Sequence, residues 1–183
     1  MLFAQRLLGV VLIAALGGCS TMRVTSDTDP SAKFTGYKSY NWMAEAPKKT
    51  GDPRIDGNSI LASRIRSAVE RQLAAKGYEK RSSGTPDFLV GYHASLEKKT
   101  SVRMLNEYYR YGPGWGRRYR GPQTYVYDYD EGTLILDIVD PKTRKLLWRG
   151  SATDVVNPTA SGEARQKKIN EAVTRILEKF PPK

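Results

Sequence analysis

Five apolar positions, Phe88, Val90, Tyr92, Ala94 and Leu96, alternate without interruption with Leu89, Gly91, His93 and Ser95. A period of two sends every second side chain to the same side, so this stretch predicts a strand with one face in a core. A lone strand cannot bury that row. Residues 133–139 (TLILDIV) and 145–154 read as two further strands, joined by Asp140-Pro141-Lys142-Thr143, whose proline suits the second position of a type I turn. Residues 37–43 (YKSYNWM) read as another strand, with Lys38, Tyr40 and Trp42 on one face. Val24 opens a first strand-like stretch, ahead of the turn-rich residues 27–36.

Two segments carry a helical period instead. Leu61, Ile65, Val69 and Leu73 recur every fourth residue, while Arg64, Arg66, Glu70 and Arg71 fill the other faces. Asp56 or Asn58 caps the start of this helix, after a Pro/Lys/Gly loop over residues 44–57, and Gly77 stops it. The second helix is expected over about residues 161–179, with Ile169, Ala172, Val173, Ile176, Leu177 and Phe180 on its apolar stripe. Pro181 and Pro182 forbid its extension. The order is then β-β-α-β-loop-β-β-α. The economical way to bury both stripes is an α+β fold, an antiparallel or mixed sheet with two helices packed on one face.

The loop in that order is unusual. Residues 104–129 hold eight tyrosines and tryptophans, interleaved with Arg110, Arg117, Arg118 and Arg120, and Gly112, Pro113, Gly114 and Gly116 break its centre. Arginine offers forked hydrogen bonds to anions, and Tyr and Trp offer flat faces to sugar rings or settle at a membrane interface. Arg110, Trp115, Arg117, Arg118, Tyr119 and Arg120 are therefore the candidate binding residues. The other reading of the same residues is an exposed β-hairpin tip whose tyrosines pack on one another.

The N-terminus fixes a location. Arg6 precedes the apolar run at residues 7–16 (LLGVVLIAAL), which is too short to span about 30 Å of hydrocarbon and suits an export signal. Leu16-Gly17-Gly18-Cys19 follows, and it resembles the lipobox of bacterial lipoproteins. That resemblance implies cleavage before Cys19, with a diacylglycerol and an N-acyl chain (palmitate among the usual fatty acids) carried on that residue. Several acyl chains hold a protein on a membrane where one chain binds only marginally. Ser20 after the cysteine implies the periplasmic side of the outer membrane rather than retention at the inner one. The chain then divides into a signal peptide at 1–18, a lipidated tether at 19–23 and a single domain at 24–183. Cys19 is the single cysteine, so an internal disulfide is excluded. The formal net charge is +11, and losing Arg6 leaves 29 basic against 19 acidic residues. That excess favours anionic envelope lipid, glycan or another envelope protein as partner; export excludes nucleic acid as the everyday one.

Several segments also resemble one bacterial lipoprotein family, filed as domain of unknown function 4136. They are DPSAKFTGYKSYNW (residues 29–42), LAAKGY (73–78), PDFLVGYH (86–93), EGTLILDIVDPKTRKLLWRG (131–150) and INEAVTRILEKFPPK (169–183). They occur in the family's order and span nearly the whole domain. The resemblance implies an envelope lipoprotein with a small α+β domain, and it carries over no catalytic or binding residues. The middle loop is usually Gly/Tyr/Trp-rich in that family; here it is also arginine-laden.

Catalytic chemistry is not written in the pattern. His93 is the only histidine and stands on the strand face opposite the apolar row. The Ser and Asp residues form no nucleophile elbow, and no HExxH, CxxC pair or P-loop lysine occurs. Asp128, Asp130 and Glu131 (DYDEG) lack the spacing of a calcium loop and read as a solvated turn entering the next strand. The expectation is a non-enzymatic envelope binding or scaffold protein with no cofactor and no metal. A small periplasmic hydrolase with no identifiable site is the alternative.

Overall fold

The computed structural model of the protein describes residues 22–44, 49–105 and 123–182. Two short strands come first, β1 (Arg23–Thr28) and β2 (Ser39–Trp42). Helix α1 (Ser59–Ala75) then begins where Asn58 accepts a bond from the Leu61 N–H, one of the free donors of the first turn. It ends at Gly77 with φ +84°: the Gly77 N–H bonds the Ala74 carbonyl and the Tyr78 N–H bonds that of Leu73. This Schellman closure needs a left-handed residue, and glycine takes that conformation without strain. The two-residue β3 (Glu79–Lys80) follows, then the long β4 (Phe88–Leu105) and β5 (Gln123–Val139). β6 (Leu146–Val156) and α2 (Gly162–Leu177, capped by Ser161) complete the chain.

The six strands form one mixed sheet in the order β1-β6-β5-β4-β2-β3. β1, β6, β5 and β4 pair antiparallel, whereas β2 and β3 run parallel to their neighbours because α1 carries the chain back between them. Register places Tyr40 beside Phe88, Val90 beside Ile138, Leu136 beside Gly150 and Ala152 beside Leu134, so one face collects the apolar row of every strand. Ile65, Val69 and Leu73 of α1 and Val173, Ile176 and Leu177 of α2 pack on that face in a single core. The α+β expectation, with both helices on one face, describes this architecture. Fully burying one such side chain contributes about 1.5–3 kcal/mol, so the shared face is the main stabilising feature.

Three local readings need correction. Residues 104–129 are not one loop: β4 continues to Leu105 and β5 starts at Gln123, with pairing from Leu105↔Gln123 inward. Asp128, Asp130 and Glu131 lie inside β5 rather than in a turn, because β4 supplies partners for their backbone. Phe180 falls beyond the end of α2, where it is fully buried between Phe34, Tyr78, Phe88 and Trp148. The connection after β5 closes with the Arg144 N–H on the Asp140 carbonyl, and Asp140 Oδ1 accepts from the Lys142 and Thr143 N–H groups.

Candidate functional site

The β4–β5 hairpin is longer than the sheet that carries it. β6 stops pairing at Val156↔Asp130, and β2 stops at Trp42↔Val90, yet the ladder between β4 and β5 runs on to Leu105↔Gln123. Among the described residues, the part of β5 before residue 130 and the part of β4 that faces it therefore pair only with each other, and form a two-stranded arm. Such a ribbon gains no core burial of its own.

Strand alternation sorts the arm into two rows. Lys98↔Asp130 and Thr100↔Asp128 continue the helix-bearing face; Glu97↔Glu131, Lys99↔Tyr129 and Ser101↔Tyr127 continue the face without helices. On the first row the carboxylates are tied down: Asp128 accepts from Thr100 Oγ1 at 2.8 Å, and Asp130 Oδ2 from Arg54 Nη1 at 2.7 Å. On the second row the Tyr127 and Tyr129 rings lie 6.2 Å apart, and Lys99 Nζ bonds Glu97 at 2.7 Å. That bond, with the attraction of Glu97 behind it, raises the Lys99 ammonium above its ordinary value. Tyr127 is 42 % exposed and Val126, on the opposite row, 64 %.

At the foot of the arm the chain builds a charged latch that the sequence pattern did not single out. Arg54 grips Asp52 through Nε and Nη2 and reaches Asp130 with Nη1, so the segment after residue 49 is fastened to β5. The bond from Arg54 holds the Asp52 carboxyl below its usual range. Asp130 Oδ1 is buried and accepts no bond from the described residues. Thr50, Gly51, Asp52, Pro53, Arg54 and Lys98 line an open hollow of about 620 Å3 beside this latch. The only hint in the sequence was Arg54 set between Asp52 and Asp56, within the Pro/Lys/Gly loop at 44–57.

His93 stands on the helix-free face opposite Ile135 and makes no hydrogen bond among the described residues. Its neighbours on that face include the Arg149–Asp137 fork, bonded at 2.7 and 2.8 Å. No group of three His, Cys, Asp or Glu side chains among the described residues is placed to hold a metal ion. Cys19 and the six candidate binding residues, Arg110, Trp115, Arg117, Arg118, Tyr119 and Arg120, lie outside the described residues. Chain continuity sets those six between the ends of the arm strands, Leu105 and Gln123.

The model of a domain of unknown function, DUF4136, matches residues 24–182. No curated protein matches the chain. Among solved structures, a PDZ domain protein from Parabacteroides distasonis is similar over 88% of this chain, with a TM-score of 0.56 and 13% identity. The chain spans 36% of that protein's length, and the likeness describes the fold alone. A DUF4136 family protein from Bacteroides thetaiotaomicron is 18% identical with a TM-score of 0.49, covering 87% of this chain and 96% of that one. A PelC dodecamer from Paraburkholderia phytofirmans is 9% identical with a TM-score of 0.46, covering 85% and 94%.

Proposed function

The chain belongs to the DUF4136 family, a domain of unknown function, and from that premise we propose a non-enzymatic lipoprotein that faces the periplasm from the outer membrane and binds an anionic envelope component through its hairpin tip. The observation that carries this reading is the arm itself. A chain of this size gains nothing for its core by extending β4 and β5 past their neighbours, and the segment rich in tyrosine and arginine joins the ends of those two strands. Lipid at Cys19 supplies the location, and Arg110, Arg117, Arg118 and Arg120 supply the charge for phosphate or carboxylate groups.

Replacing those four arginines together with alanine is expected to abolish salt-sensitive retention on anionic lipid or glycan while leaving the circular dichroism spectrum unchanged. Retention equal to the parent protein at low salt rejects the binding tip. Cys19→Ala is expected to leave the precursor unacylated and uncleaved by the lipoprotein peptidase; normal lipid labelling of that variant rejects the anchor.

A further inference from the structure

Among the described residues the sheet ends on one side at the two-residue β3 and on the other at β1, which pairs with β6 along one edge only. The Asp29 N–H bonds the Leu147 carbonyl, one step past the Thr28↔Trp148 pair. Antiparallel bonding alternates, so Arg23, Thr25 and Asp27 turn their backbone groups toward β6, while Val24, Ser26 and Thr28 turn theirs outward. Asp27 Oδ1 accepts from the Thr28 N–H. That leaves the N–H and carbonyl groups of Val24 and Ser26 without a backbone partner among the described residues. An unpaired edge is a template for another strand, and proteins usually guard it with a lysine, a proline or a bulge. β1 (RVTSDT) has no lysine or proline, and its register with β6 is unbroken.

We propose that β1 is the docking edge for a second copy of this chain, the two β1 strands running antiparallel about a two-fold axis at Thr25. The edge charges choose this register. Val24 stands beside Ala152 on the core face, so Arg23 and Asp27 lie on the face without helices. Both are exposed and make no ion pair among the described residues. Arg149, across from Asp27, is forked to Asp137 instead. Four positions along one strand hold Arg23 and Asp27 about 14 Å apart, too far to pair with each other. With Thr25 opposite the partner's Thr25, each Arg23 faces the partner's Asp27, and Val24 faces the partner's Ser26 with outward backbone groups that match. An axis at Ser26 needs the Thr28 N–H, which Asp27 holds, and sets Arg23 against Asp29, already bonded by Lys145 and Ser31. An axis at Val24 sets Arg23 against Thr25 and carries Asp27 past the end of β1. Opposite charges facing across strands stabilise a pair and like charges oppose it, so one register is favoured.

The axis stands normal to the sheet, so the partner continues the sheet and the helices of both copies share one side. The two Arg23 ends are then about 14 Å apart, and Cys19, four residues earlier, has a reach of about 14 Å when fully extended. Two acyl anchors therefore fit one bilayer. That fit rests on the lipid-anchor reading given above, whereas the pairing of the edges does not. A shared bilayer also raises the effective concentration of the copies, which a contact as small as one strand edge requires.

The test uses the full acylated chain in vesicles of phosphatidylethanolamine and phosphatidylglycerol, mildly oxidised, with one cysteine added at a time. At the axis the two Thr25 Cα atoms stand about 4.5 Å apart, within disulfide range, whereas those of Ser26 are diagonal neighbours about 8 Å apart, beyond it. Thr25→Cys is expected to give a disulfide-linked dimer about tenfold faster than Ser26→Cys on the same strand or Lys142→Cys in the turn after β5. The parent chain, whose single cysteine is Cys19, is the blank. Added to Thr25→Cys, Arg23→Asp and Asp27→Arg should each slow the crosslink about tenfold when alone, because like charges then face each other. Mixing those two chains should restore the rate. A crosslink at 25 no faster than at 26 or 142 overturns the proposal, as does a mixture no faster than either chain alone. Failure of the chain to float with the vesicles overturns the anchor reading separately.

Discussion

Gly150 shows how one missing side chain lets the core close. It stands on β6 opposite Leu136, where a β-carbon would run into the Trp148 indole and the Ile176 methyl group. Both neighbours are themselves fully buried, so neither has room to withdraw. Gly150→Ala is expected to destabilise the fold by about 1–3 kcal/mol, read as a lower urea midpoint at unchanged slope. Gly91 is the control on the other face. A β-carbon there meets the Met43 sulfur at 2.9 Å, and a flexible thioether moves aside at small cost, so Gly91→Ala should lower the midpoint less. The Trp148 Nε1–H is buried without an acceptor among the described residues, which offsets part of what the indole contributes by burial. None of this is visible in the string LLWRG. Alternation announces a strand there, but only the packing of α2 across it explains why a glycine interrupts the buried row.

Caps and periodic stripes are local signals, and the elements that depend on them were readable residue by residue. Asn58→Ala should cost about 1 kcal/mol of stability in urea denaturation, because the Leu61 N–H loses its acceptor. Elements defined by their neighbours were harder to read. β3 is two residues long and exists only because β2 offers an edge. The arm strands look irregular because their tyrosines and cations alternate with polar and acidic residues, with no apolar row to mark a buried face. For the same reason Asp130 looked solvated, although its side chain is 10 % exposed and held by Arg54 across 76 positions of sequence. The residue types at 110–120 suggest anion binding by composition alone, while the long strands that flank them required the register. Joining Ser101 directly to Tyr127 through an Asn-Gly turn removes the outer arm and keeps every pair from 101↔127 inward. The thermal midpoint should move by no more than a few degrees, because no core residue is lost, while the salt-sensitive part of retention on anionic lipid or glycan disappears. A large drop in the midpoint means that the arm is part of the folded core.

The whole molecule is a basic body whose turns are pinned by carboxylates. Asp56 accepts from the Thr50 and Gly51 N–H groups, Asp140 from Thr143 and Lys142, and Asp87 from the Lys38 and Ser39 N–H groups and the Ser39 hydroxyl. Asp29 is held by the Lys145 ammonium and by Ser31. These bonds keep all four acids below the ordinary value of 3.8 in the folded chain. A depressed value in the fold means that the unfolded chain takes up protons first. The stabilisation is therefore complete well above pH 3.8 and drains away as the pH falls through the lower folded values. Protonation also strips negative charge from a chain already at +11, so self-repulsion grows over the same window. The urea midpoint should stay level near neutrality and fall steeply below about pH 4. Asp87→Asn separates the two causes. It should cost about 1–2 kcal/mol at neutral pH, where the ionised carboxylate bridges β2 to the start of β4, and cost progressively less in acid. Added salt screens the diffuse repulsion and should restore part of the acid loss in both proteins, but it leaves the neutral-pH gap between them intact, because hydrogen bonds at 2.7–3.0 Å lie inside any screening distance. A gap that is the same at both ends of the titration shows that Asn replaces the charge, and that repulsion alone drives the acid transition.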